Sequence, residues 1–256
     1  MKTFLTTLFT ITIFSTAFAQ KNVVKWNVSS LAFNNVYLTY ERAIAKKFSV
    51  SLGASYVPTS GLMVTGFIPD VKSGDITRES PLKNMNMTGY SITPEFRFYT
   101  SLIKESPRGL YLAAYLRHSK YDLSYKNYAY NYKDEFDNNI SKTANINFES
   151  SISSIGGGLM LGHQWIIGQH FSIDLWILGL GVNSSTFQLR ATDSNRDMND
   201  LYFIAGSTFS KDIEQYFSFL GDVKVKIDQP GHFVETTTSR FLPALRGLGF
   251  NIGFAF

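Results

Sequence analysis

Along much of this chain apolar and polar side chains alternate with a period of two, the repeat of a strand with unlike faces. Phe48, Val50, Leu52, Ala54 and Tyr56 fall on one face, Ser49, Ser51, Gly53 and Ser55 on the other. Tyr90, Ile92, Pro94, Phe96 and Phe98 alternate with Ser91, Thr93, Glu95 and Arg97. At the C-terminus Leu248, Phe250, Ile252, Phe254 and Phe256 alternate with Gly247, Gly249, Asn251, Gly253 and Ala255. Five more segments, 23–33, 36–44, 109–123, 147–164 and 171–187, bring the predicted strands to eight. In 36–44, Val36, Leu38 and Tyr40 oppose Tyr37, Thr39 and Glu41; in 171–187, Phe171, Ile173, Leu175 and Ile177 oppose Ser172, Asp174 and Trp176. Within 147–164 the apolar positions change parity, from Phe148 and Ile152 to Ile155, Leu159 and Leu161. A β-bulge at Ser153 and Ser154 would restore one continuous outer face.

Strands of this length can cross a bilayer, which takes about 9–11 tilted residues. The pattern therefore predicts an all-β fold, an eight-stranded antiparallel up-and-down transmembrane barrel with apolar residues outward and polar residues inward. Connection lengths fit that architecture. With both termini on the periplasmic side, the turns 45–47, 102–108 and 166–170 are short, while the outer connections 58–87, 124–146 and 188–243 are long. Asn34 and Asn35 make a tight outer turn. The last connection is too long to be plain loop. Ser210 is placed to cap a helix over 211–220 ended by Gly221, and 223–227 and 233–237 flank Asp228, Gln229, Pro230 and Gly231 as a hairpin. A further strand over 201–209 would raise the count to ten, the alternative architecture.

Composition sharpens this picture in three ways. The 256 residues include 22 Phe and 14 Tyr, an enrichment suited to interfacial girdles. The net charge of +4 is scattered, with no basic run to serve as a nucleic-acid footprint. With no cysteine there is neither a disulfide framework nor a lipoprotein acceptor. The start has a basic Lys2, an apolar stretch over 4–18 and then Ala17, Phe18 and Ala19, which reads as a secretory signal peptide over 1–19 cleaved before Gln20. The mature domain is then 20–256, in the outer membrane, with no run of about 18 apolar residues to make a spanning helix.

The segment 248–256 resembles the C-terminal signal of bacterial outer-membrane barrels, an alternating apolar strand ending in Phe. That resemblance implies recognition of Phe250, Ile252, Phe254 and Phe256 by the barrel-assembly machinery. The segments 25–33, 37–42 and 46–56, with Tyr40, Glu41 and Arg42 and a closing Gly253-x-x-Phe256, resemble a family of small outer-membrane barrels of unknown function from Bacteroidetes-type bacteria. The likeness covers nearly all of the mature chain, and no activity comes with it. The architecture is also similar to the OmpA transmembrane barrel, without a peptidoglycan-binding domain after Phe256.

In this register Glu41, Glu95, Arg97, Arg117 and Asp174 point into a lumen just wide enough for side chains to fill. Buried charges need partners, so these residues predict a salt-bridge network that plugs the barrel; the sharper reading is a gate. The inward row Gly247, Gly249, Gly253 and Ala255, with Gly156, Gly158 and Gly162, makes room for Trp176, Tyr111 or Tyr115, or else lines a ligand cavity. A hydrolase needs a nucleophile hydrogen-bonded to its base. His118 and Ser119 are neighbours on one strand and face opposite ways. His163, His170 and His232 are dispersed, so no metal or other cofactor is expected. Tyr121, Tyr125, Tyr128, Tyr130 and Tyr132, interleaved with Lys126, Lys133, Asp134 and Glu135, make either a solvated hairpin or a binding surface. The function expected is that of a monomeric, non-catalytic integral outer-membrane protein with a structural or surface-binding role. Its partners would be lipid and the assembly machinery, and not nucleic acid. A small porin-like pore or transport accessory is the first alternative, and a lipid-modifying enzyme the second.

Overall fold

The computed structural model describes residues 21–62, 71–73, 76–78, 81–101, 105–133, 141–193, 211, 214, 226–228 and 233–256. Its strands are β1 (Asn22–Asn27), β2 (Val36–Ala45), β3 (Phe48–Gly61), β4 (Val71–Ser73), β5 (Ile76–Arg78), β6 (Asn86–Tyr99), β7 (Gly109–Lys133), β8 (Ser141–Ile167), β9 (Phe171–Asp193), β10 (Lys226–Asp228), β11 (Phe233–Arg246) and β12 (Gly249–Ala255). Pairing is antiparallel throughout and runs β1–β2–β3–β6–β7–β8–β9. β12 then pairs with both β9 and β1, closing a ring of eight strands. The fold is all-β and up-and-down, with β4 and β5 as a separate two-stranded sheet.

The main sheet holds ten segments, yet the ring closes on eight. β11 lies end to end with β12 along the same edge of β9, and β10 adds a short pairing to β11. Lys226 opposite Glu235 and Asp228 opposite Phe233 make the hairpin that the turn residues predict. Lys211 and Glu214 are helical. The rest of the expected helix, the strand 201–209 and the signal peptide 1–19 lie outside the described residues.

Three expectations are corrected. The first strand stops at Asn27 instead of running to Phe33, because the Asn27 carboxamide oxygen accepts from the Ser29 hydroxyl and the Ser30 N–H, both at 2.7 Å. This side-chain turn starts a 3-10 helix over Ser29–Phe33, which ends at Asn34 in the left-handed region at φ 50°. The connections 124–146 and 188–243 carry long strand extensions among their described residues. β7 continues to Lys133, β8 begins at Ser141, β9 reaches Asp193 and β11 begins at Phe233. Finally, β8 passes Ser153 and Ser154 in unbroken register with both neighbours. The irregularities fall on its neighbours, at Ile177 of β9 and between Tyr125 and Tyr128 of β7.

What changes along these strands is the distribution of polarity. Through the ring, outward positions are apolar and exposed: Leu38, Leu52, Ile92, Phe96, Leu112, Leu116, Leu159, Leu180 and Phe250 among them. Inward positions of the same strands are buried and polar, including Lys25, Thr39, Glu41, Ser51, Thr93, Arg97 and Asp174. Beyond Leu116, Ile155 and Val182 the order reverses. Outward come Lys120, Asp122, Glu149, Gln188 and Arg190, all exposed, while Tyr130, Ile146, Phe148, Phe187 and Leu189 are buried. The β7 bulge, with Asn127 at φ 59°, turns Tyr130 rather than Asn131 toward that second core.

Candidate functional site: the ion-pair network inside the ring

Alternation aims one face of every strand into the ring, and at one level these faces carry charge. Lys25 of β1 reaches Glu41 of β2 and Asp174 of β9, each at 2.6 Å, and donates to the Gln164 carboxamide of β8 at 2.8 Å. Arg97 of β6 lies beside the same two carboxylates, 3.1 Å from Glu41 and 2.9 Å from Asp174. Its Nε and Nη2 donate to Glu95 Oε2 at 2.9 and 2.6 Å. Arg246 of β11 closes on the other Glu95 oxygen at 2.8 Å.

Hydroxyls fill the remaining acceptor positions. Ser49 of β3 and Tyr99 of β6 donate to Glu41 Oε1 at 2.5 and 2.6 Å, and Tyr111 of β7 donates to Asp174 Oδ1 at 2.7 Å. The Asn251 amide of β12 caps the Asp174 backbone carbonyl at 3.0 Å. All eight strands of the ring therefore contribute a group. Three cations, Lys25, Arg97 and Arg246, face three carboxylates, Glu41, Glu95 and Asp174, so the network is neutral. Excellent geometry and full pairing are what allow charges to be buried at all. Arg97 and Glu41 are fully buried.

An aromatic layer packs against the network. The Arg246 guanidinium lies 3.8 Å from the Trp176 ring centre and 5.3 Å from that of Tyr115, and donates to the Tyr37 hydroxyl at 3.1 Å. Tyr37 and Trp176 meet edge to face at 5.6 Å. Glycines provide the room. A Cβ on Gly249 would lie 2.3 Å from the Trp176 ring, one on Gly162 would lie 2.4 Å from the Tyr111 ring and one on Gly53 would fall on the Tyr37 hydroxyl. Gly247 is exposed at the break between β11 and β12 and stands apart from this packing.

Of the charged residues expected in the lumen, Glu41, Glu95, Arg97 and Asp174 come together. Arg117 does not: its guanidinium instead bonds the Ser91 hydroxyl at 3.2 Å and the Tyr121 hydroxyl at 3.4 Å. Lys25, Gln164 and Arg246 escaped the sequence reading. Lys25 lies between outward Val24 and Trp26 and Gln164 shares the inward parity of Gly162, so both were legible from alternation, whereas Arg246 was hidden by the long β11 strand. Phe250, Phe254 and Phe256 point outward from the last strand, with Ile252 half-buried beside them.

The other candidates resolve by face. His118 is exposed beside Tyr90, while Ser119 is buried against the Ser154 hydroxyl at 2.7 Å, so the two point apart. His163 packs at a tilt against Trp165, His170 stacks on Phe254, and His232 lies outside the described residues. No cluster of three or more His, Asp or Glu able to hold a metal ion occurs among the described residues. The Tyr-rich segment divides: Tyr130 is buried, Tyr128 packs on Phe148 at 5.6 Å, and Tyr121 and Tyr125 are half-buried. Asp134 and Glu135 lie outside the described residues.

No curated protein matches the sequence. A family profile, described as a protein of unknown function (DUF3575), matches residues 3–199, and the chain belongs to that family.

Proposed function

We propose that this chain is an integral outer-membrane protein, exported with a cleaved signal peptide and inserted as an eight-stranded OmpA-like transmembrane barrel. Its role is structural or surface-binding, and not catalytic. The observation that carries this reading is the inverted polarity of the ring: a continuous belt of exposed Leu, Ile, Val and Phe encloses a buried ionic core. Soluble monomers rarely expose contiguous apolar patches beyond a few hundred Å², and water would not tolerate this belt. Lipid would. Along β3 the belt runs from Phe48 to Tyr56, about 27 Å of strand at ~3.4 Å per residue, which a barrel tilt fits to the hydrocarbon layer.

The neutral network and the aromatic layer argue for a closed lumen, because each buried charge is already engaged by a protein partner. The long ends of β7, β8 and β9, with polar exteriors and their own apolar core, would stand out from the cell surface. Outer-membrane lipid and the barrel-assembly machinery are then its partners, and the barrel is monomeric. Bacteroidetes-type bacteria are its expected source.

Membrane fractionation with gel mobility before and after boiling tests the placement. The protein should partition with outer membranes, require detergent for extraction and shift in mobility on heating. Full solubility without detergent would refute the placement. Planar-bilayer recording tests the role: the wild-type protein should show no steady conductance, and stable openings would replace the sealed reading with that of a pore.

A further inference from the structure

Two residues past Tyr115 on β7, Arg117 points into the ring and is half-buried, one tier further from the ionic network than the aromatic layer. It differs from the other inward cations. Lys25, Arg97 and Arg246 each pair with a carboxylate, whereas Arg117 pairs with none among the described residues. Its Nη2 reaches only the hydroxyls of Ser91 and Tyr121, and its Nε and Nη1 have no acceptor among the described residues. A guanidinium keeps its proton throughout the physiological range, so the charge stays.

Hydroxyls line the same face of the wall. Ser55 of β3, Ser91 of β6, Ser119 of β7, Ser154 of β8 and Ser185 of β9 are successive cross-strand partners and form one row. Ser55, Ser91 and Ser119 are buried, while their chain neighbours Tyr56, Tyr90 and Lys120 are exposed on the outside, as is Ile155 beside Ser154. The Oγ atoms of Ser55 and Ser91 lie 2.7 Å apart, as do those of Ser119 and Ser154. Within each pair one hydroxyl donates to the other, which leaves one proton to donate elsewhere. Gly156 stands opposite Arg117, and the Asn183 carboxamide lies over it: a Cβ there would fall on the Asn183 oxygen. Carboxylates of these strands are directed elsewhere. Glu95 and Asp174 are held in the network, and Asp122 and Glu149 are exposed on the outer face.

We propose that Arg117 and this serine row bind a small tetrahedral oxyanion, phosphate or sulfate in chemistry. A cation without a protein counter-charge, set among surplus N–H and O–H donors, selects an anion over a neutral ligand. The guanidinium suits two oxygens of one acid group, and the serine protons and the Asn183 amide suit the others. The ion is a free one, because the site faces the inside of the ring, whereas a lipid outside it would meet Leu116 and Ile155.

Isothermal titration calorimetry on the refolded full chain, in a non-ionic detergent and a buffer free of both ions, tests this with inorganic phosphate and sulfate. At constant ionic strength at least one of them should bind at one site per chain, and chloride should not displace it. Arg117→Gln should lower the affinity about tenfold or more, the loss of a charge-assisted hydrogen bond. Ser119→Ala, which removes one donor of the row, should lower it about fivefold. Lys120→Ala removes a cation from the opposite face of the same strand and should leave binding unchanged. Binding of neither oxyanion, displacement by equal chloride, undiminished binding in Arg117→Gln, or an equal loss in Lys120→Ala overturns the site. Far-ultraviolet circular dichroism shows which variants are folded, and Ser119→Ala carries the test if Arg117→Gln is not.

Discussion

Phe148 and Leu159 lie on one regular strand and face opposite sides of it, Phe148 fully buried and Leu159 56% exposed. Both are apolar, and each is the ordinary choice for its own surroundings. Leu159 belongs to a stretch whose outside is greasy, and Phe148 to one whose inside is. The geometry of β8 is constant between them; which of its two faces is apolar is what differs. A transmembrane reading explains this directly, since a strand that leaves lipid for water must exchange the polarity of its two faces.

Substitutions at the two ends of β8 should therefore report on different media. In liposomes, Leu159→Arg should lower the unfolding free energy by about 2–4 kcal/mol, the cost of a cation on a lipid-facing wall. Phe148→Ala should cost about 3–5 kcal/mol through the cavity it leaves in the second core. Lys120→Ala, at an exposed position beyond the belt, should stay within about 0.5 kcal/mol of the wild type. Urea titration followed by tryptophan fluorescence reads all three, and a loss in Leu159→Arg no larger than that in Lys120→Ala would contradict the boundary.

Unpairing the network should be costlier than its removal. Asp174→Asn keeps the shape but leaves Lys25 and Arg97 sharing one carboxylate fewer, a buried excess of positive charge. Breaking a buried pair in this way costs about 3–5 kcal/mol. Combining it with Lys25→Met restores neutrality and should recover a substantial part of the loss. Unfolding midpoints of the single and double variants in lipid measure the coupling, and simple additivity would show that the charges do not act as one unit.

Much of this was legible in the residues, and the failures share one cause. Alternation placed the eight strands of the ring and aimed Glu41, Glu95, Arg97 and Asp174 at one interior, because sequence period two and a closed sheet leave few other arrangements. The parity change between Ile152 and Ile155 was misread as a bulge because outward was equated with apolar along the whole strand. Where the surroundings change, that equation fails. The real bulge on β9, at Ile177, keeps Leu178 and Leu180 outward although their parity differs from that of Phe171 and Ile177. Arg246 was beyond reach for a related reason: its strand is interrupted at Gly247 and Leu248, so the terminal alternation could not be extended back to it.

The glycines of the ring make a separate prediction. Gly249→Ala would place a methyl 2.3 Å from the Trp176 ring, closer than Cβ contacts allow, so the indole must move off the Arg246 guanidinium. Overpacking of this kind costs about 1–3 kcal/mol. Near-ultraviolet circular dichroism should weaken alongside the lower unfolding midpoint. Gly168→Ala, at φ +68° with open space around it, would lose stability through backbone strain alone and leave that signal unchanged.

Phe256 takes part in ring closure, and the proposed assembly signal would be a second role that experiment can separate from the first. Ring closure between β1 and β12 rests on the short register from Val23 with Ala255 to Asn27 with Asn251, extended by Phe256, whose N–H donates to the Asn22 carbonyl at 2.9 Å and whose carbonyl accepts from the Asn22 N–H at 3.1 Å. Deleting Phe256 removes this clamp together with the terminal aromatic. Phe256→Ala removes only the ring, which points outward near Phe254. If the aromatic serves assembly, Phe256→Ala should refold in pure lipid almost as well as the wild type, yet accumulate less in cells as the heat-shifted form. The deletion should impair both, because the clamp is a property of the folded ring, whereas a terminal signal would act before the ring forms. Equal cellular insertion of wild type and Phe256→Ala would remove the assembly role while leaving the closure argument in place.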